Sequence, residues 1–127
     1  MKLRIKGNSV RLRLTRSELE DFVSAALISE SVHFGPAPNA RLTYALQHRP
    51  AIHDLLVEYE PGRFTIVMPT AMALKWSETD QVGIAAEIDI GPHGPLSVLI
   101  EKDFACLDRG DAANADSFPN PLAGYKC

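Results

Sequence analysis

Cysteine is scarce in this chain of 127 residues, with Cys106 and Cys127 the only two. Two thiols do not complete a tetrahedral zinc site, nor do they staple a small secreted domain. Long apolar runs are absent as well; none approaches the ~20 residues of a membrane-spanning helix. The opening MKLRIKGNSVRLRL is charged throughout and lacks the apolar stretch of a signal peptide. The expected location is cytoplasmic, with both thiols reduced. There is no Walker loop and no dinucleotide glycine fingerprint, and Ser9, Ser17 and Ser97 lack a nucleophile-elbow context. His33, His48, His53 and His93 show no metal-ligand spacing and read as surface histidines.

Acid is missing from the first 17 residues, which hold Lys2, Arg4, Lys6, Arg11, Arg13 and Arg16. The rest of the chain holds 7 basic and 16 acidic residues, and the net charge is −3. An overall acidic balance argues against general nucleic-acid binding. Segregated charge points instead to an acidic counterpart for the opening segment, inside the fold or outside it.

What is present is ordered alternation. Leu3 and Ile5 alternate with Lys2, Arg4 and Lys6, and Val10, Leu12 and Leu14 with Arg11 and Arg13. That period predicts strands over 2–6 and 9–14, joined at Gly7-Asn8 as a tight hairpin. Thr15 and Glu18 have the spacing of a capping box, and Leu19, Phe22, Val23, Ala26 and Leu27 follow at helical spacing, predicting a helix near 16–27. Strands are expected near 29–34 and 40–47. HRPAIH over 48–53 reads as a connection. Further strands are expected over 54–60 and 63–68, turning at Pro61-Gly62. A helix from Pro69 to about Trp76 follows, then strands near 82–90 and 95–102.

The order strand–strand–helix–strand–strand thus occurs twice. A displacement of 54 residues takes Phe22 to Trp76 and Pro38 to Pro92. Identity between the copies is near chance, so pattern and turn placement carry the reading. The expected fold class is α+β, with duplicated ββαββ units. Eight mainly antiparallel strands form a curved sheet or open barrel with two helices on its apolar face. One domain covers 1–108, with pseudo-repeats 1–54 and 55–108, and 109–127 form an irregular tail that Phe118, Leu122 and Tyr125 pin to the body.

The hairpin carries the candidate chemistry. A two-residue turn sets Lys6 opposite Ser9, Arg4 opposite Arg11 and Lys2 opposite Arg13, so Lys2, Arg4, Lys6, Arg11 and Arg13 share one face. Like charges directly opposite one another are destabilising. Solvent and salt neutralise them at an open surface; in a groove, acids or a bound anion do so. Candidate acids come in pairs spaced by two: Glu58 and Glu60, Glu87 and Asp89, Glu101 and Asp103. Guanidinium groups bind phosphate in bidentate fashion, and paired carboxylates hold Mg²⁺ or Mn²⁺. Glu58, Glu60, Glu87 and Asp89 are therefore the candidate metal ligands. A self-neutralising ion-pair network without any ligand is the other reading of the same residues.

The segments KLRIKGNSVRLRLTRSELEDF, EKDFACL and DSFPNP resemble a family of small bacterial proteins of unknown function, over nearly the whole chain. That resemblance implies a self-contained domain and no particular chemistry. The duplicated layout and charged strands are similar to the CYTH-like triphosphate tunnel enzymes, whose mark is E-x-E-x-K on the first strand. This chain has Lys2-Leu3-Arg4-Ile5-Lys6 there, and its nearest acidic pair, Glu58-Tyr59-Glu60, runs into Pro61-Gly62. The opening Gly-Asn-Ser turn also resembles swapped-hairpin DNA-binding antitoxins.

Three functions follow as expectations. The first is a non-catalytic binding module whose basic hairpin takes an anionic, phosphate-like small molecule or an acidic protein surface. The second is a CYTH-like phosphohydrolase using Mg²⁺ or Mn²⁺ on a triphosphate or polyphosphate. The third is a hairpin DNA-binding protein.

Overall fold

The computed structural model describes residues 1–104 and 116–118. Cys106, Cys127 and most of the expected tail, including Leu122 and Tyr125, lie outside the described residues. Chain order is β1 (Lys2–Lys6), β2 (Ser9–Leu14), α1 (Arg16–Ala25), β3 (Leu27–His33), β4 (Arg41–Arg49), β5 (Leu56–Glu60), β6 (Arg63–Pro69), α2 (Thr70–Glu78), β7 (Gly83–Ile88) and β8 (Leu96–Lys102). The fold is α+β, and the ββαββ order occurs twice.

The strands divide into two open four-stranded sheets, β1-β2-β8-β7 and β3-β4-β6-β5. Every hairpin pairing is antiparallel, while β2–β8 and β4–β6 run parallel through the sheet centres. Each sheet therefore joins the leading hairpin of one half to the trailing hairpin of the other. The registers repeat as well. Ser9 faces Ser97 and Arg63 faces Thr43, and a displacement of 54 converts one pair into the other. Lys2↔Arg13 becomes Leu56↔Val67 in the same way. Only β7 departs. Leu27 faces Gln47, whereas the residue facing Glu101 is Gly83, displaced by 56. The segment between α2 and β7 has taken up the difference.

Alternation decides what is inside. Leu12 and Leu14 of β2, Tyr44 and Leu46 of β4, Ile66 and Met68 of β6, and Val98 and Ile100 of β8 are buried in one contiguous cluster. Phe22 of α1 and its counterpart Trp76 of α2 join it, both fully buried. Each large side chain so buried contributes roughly 1.5–3 kcal/mol. Trp76 also satisfies its indole N–H on the Val82 carbonyl at 3.3 Å.

Local chemistry places the ends. Gly7 takes φ 55° in the first turn, and Gly62 takes φ 82° after Pro61 in the second, where the left-handed backbone favours glycine. The capping box at α1 is formed: Thr15 Oγ1 accepts from the Glu18 N–H, and Glu18 Oε1 accepts from the Thr15 N–H at 2.9 Å. The helix stops at Ala25, short of the expected 27, because Ala26 turns left-handed at φ 66°. This lets β3 begin at Leu27. β4 continues through His48 and Arg49, which sequence reading gave to a connection, because β6 zips alongside as far as Pro69. His48 is not a surface histidine. Its Nδ1 accepts from Thr70 Oγ1 at 2.8 Å and its Nε2–H donates to the Val23 carbonyl at 3.2 Å, tying β4 to both helices. Phe118 bridges to Phe104 and lies under Arg16 and Lys102.

Candidate functional site

β1 and β2 pair as Lys2↔Arg13, Arg4↔Arg11 and Lys6↔Ser9. The five cations therefore share one face, opposite Leu3, Ile5, Val10 and Leu12. Parallel pairing lays Ser97, Leu99 and Glu101 of β8 beside Ser9, Arg11 and Arg13. β7 adds Glu87, Ala85 and Gly83 beyond them. The outer face of the first sheet is a grid of three rows and four strands. Its β1–β2 side is cationic, its centre is small or apolar at Ser97, Leu99 and Ala85, and Glu87 stands at the far corner.

Some of the cations are neutralised. Arg11 Nε lies 2.5 Å from Glu101 Oε1, and Arg13 Nε lies 3.6 Å from the same oxygen. Lys2 Nζ lies 3.1 Å from Asp103 Oδ2. Among the described residues, Arg4 and Lys6 make no ion pair. They stand with Arg11 along a groove of about 350 Å³ whose other walls include Glu87, Ser97 and Leu99. A second recess of about 250 Å³ adjoins it over Lys2, Arg4, Arg11 and Arg13. Ser97 Oγ donates to Glu87 at 2.8 Å, fixing that corner.

The acidic residues do not assemble as expected. Glu58 and Glu60 lie on the outer face of the second sheet, on β5, while Glu87 lies on the first. Asp89 follows β7 and accepts the Gly91 N–H at 2.9 Å. Glu58 is gripped by Arg49 through two bonds of 2.6 and 2.9 Å; that contact lowers the Glu58 pKa and raises that of Arg49. No group of three or more His, Cys, Asp or Glu fit to hold a metal occurs among the described residues. Glu58, Glu60, Glu87 and Asp89 thus do not form one Mg²⁺ or Mn²⁺ site, because the two parallel crossings send their strands to different sheets. Among the described residues both sheets stay open, and no closed tunnel surrounds the cations. The acids that reach the cations are Glu101 and Asp103, carried in by the β2–β8 pairing.

Sequence reading missed one charged cluster. The α-amino group of buried Met1 pairs with Glu18 and with Glu30, the latter at 2.7 Å. The Tyr44 hydroxyl donates to the Met1 carbonyl at 3.1 Å and to Glu30 at 3.4 Å. Burial alone would lower the amine pKa, but the two carboxylates outweigh it and raise it. For Glu18 burial pulls upward, and the amine and Thr15 bonds prevail and lower it. These contacts join residues far apart in sequence, and no local periodicity announces them.

Among the described residues, no helix is long and apolar enough to cross a membrane. A family model described as a family of unknown function (DUF7009) matches residues 1–122. No curated protein and no solved structure matches the chain.

Proposed function

The chain belongs to the DUF7009 family, and we propose that this member is a non-catalytic module that binds an anionic, phosphate-like ligand on the outer face of its first sheet. The observation carrying this reading is that Arg4 and Lys6 have no carboxylate among the described residues, while their neighbours Lys2, Arg11 and Arg13 do. Arg4 also faces Arg11 directly, and an anion between two guanidinium groups removes the like-charge penalty. Leu99 and Ala85 line the groove beside Arg4 and Arg11. Hydrolysis with a divalent metal has no comparable support, since the carboxylates do not converge.

The test is a calorimetric titration of pyrophosphate and of inorganic phosphate, with ionic strength matched by chloride. Saturable binding is expected without Mg²⁺. Arg4→Gln with Lys6→Gln should lose about tenfold or more, the scale of a lost charge-assisted hydrogen bond. Lys2→Gln should lose much less. Equal heats in the wild type and the double variant, or binding that requires Mg²⁺, would overturn the reading.

A further inference from the structure

The two halves carry opposite charge at equivalent positions. The displacement of 54 takes Arg4 to Glu58 and Lys6 to Glu60. Within one molecule these residues do not meet, because β1 and β5 are outer strands of different sheets. Both strands are five residues long, and both expose a large apolar side chain, Ile5 at 57% and Tyr59 at 75%.

Backbone geometry makes the edges complementary too. Lys6↔Ser9 and Glu60↔Arg63 close two-residue turns. Such closing pairs are hydrogen-bonded, and bonded and non-bonded pairs alternate along an antiparallel ladder. Leu3 and Ile5 therefore direct their N–H and C=O groups away from β2. Val57 and Tyr59 direct theirs away from β6. Among the described residues no strand pairs with either edge, and an edge of this kind is a template for another strand.

We propose that β1 of one molecule adds as an antiparallel strand to β5 of a second copy. The register that uses all four outward-facing residues sets Leu3 opposite Tyr59 and Ile5 opposite Val57. On the other face it sets Lys2 opposite Glu60 and Arg4 opposite Glu58. Glu58 retains acceptor sites beside Arg49, since a carboxylate offers about four. Pairing of β1 with β1, or β5 with β5, is opposed by like charge. The contact is heterologous, so each joined copy keeps one free edge, and growth continues as a chain or closes into a ring. This inference does not depend on ligand binding, although an anion held by Arg4 competes with the contact.

Sedimentation velocity of the full chain over a concentration series tests it. At low salt the wild type should form species larger than a monomer that grow with concentration, and high salt should dissociate them. Arg4→Glu with Lys6→Glu, and separately Glu58→Lys with Glu60→Lys, should each remain monomeric with unchanged circular dichroism. An equimolar mixture of the two variants should regain assembly, because each supplies the charge the other now lacks. Ile5→Pro, which removes an outward N–H from an edge where proline is tolerated, should stay folded and monomeric. A wild type that is monomeric at every concentration, or a mixture that fails to assemble, overturns the proposal. The Glu58→Lys, Glu60→Lys variant leaves the anion groove intact, so the two readings fail separately.

Discussion

Arg4 and Arg11 face each other across the first hairpin, yet Glu101 contacts Arg11 and not Arg4. The acid of β8 reaches one strand into the cationic face and stops. Arg4 is left as a cation beside a cation, at the edge of a groove. Replacing Arg4 by Gln should therefore stabilise the free protein by about 0.5 kcal/mol at low salt. Thermal melts at low and high salt check this, and the gain should shrink as screening rises.

Glu101 has the opposite expected effect on stability. It serves both Arg11 and Arg13 in a partly buried setting. Glu101→Gln should cost about 1 kcal/mol of stability and should tighten phosphate binding, because two more cations become available. Urea unfolding and calorimetry on the same variant test both signs together.

Ala26 is a left-handed residue with a side chain at the end of α1, with φ 66°. Its N–H already caps the helix on the Phe22 carbonyl at 2.9 Å. Ala26→Gly keeps that bond and relieves the backbone, so a stabilisation of roughly 0.5–1 kcal/mol is expected. The change in urea midpoint measures it.

The Met1 cluster makes stability depend on pH at both ends. The amine is raised on folding, so its contribution is full below its unfolded pKa of ~8 and is lost as pH rises through the higher folded value. Glu18 is lowered, so its contribution is present above the usual carboxylate range and is lost as pH falls through the folded value. Acetylating the amine should remove its share of the alkaline loss, leaving that of Tyr44, whose pKa burial also raises, and should lower stability at neutral pH. Urea midpoints across the pH range, for free and acetylated protein, follow both limbs.

The hairpin register was legible because Gly7-Asn8 permits only a tight turn and the alternation around it is unbroken. The Thr15–Glu18 box was legible for the same local reason. The end of α1 was not, because an alanine occupies the left-handed position that glycine usually marks. The reach of β4 was hidden too: Arg49 belongs to a strand only because β6 lies alongside it. Most important for the site, spacing by two told which acids share a face but not which sheet they join. Glu58 and Glu101 looked alike in sequence. The parallel β2–β8 pairing, a contact across most of the chain, brings Glu101 to the cations and leaves Glu58 on the other sheet.

A heteronuclear NMR titration with phosphate at physiological salt tests the anion face most directly. The account predicts saturable shifts at Arg4, Lys6, Arg11 and Ser97 in the Glu58→Lys, Glu60→Lys variant, which cannot assemble, with β5 unmoved. Shifts spread evenly over the remaining basic residues, or none at all, would contradict it.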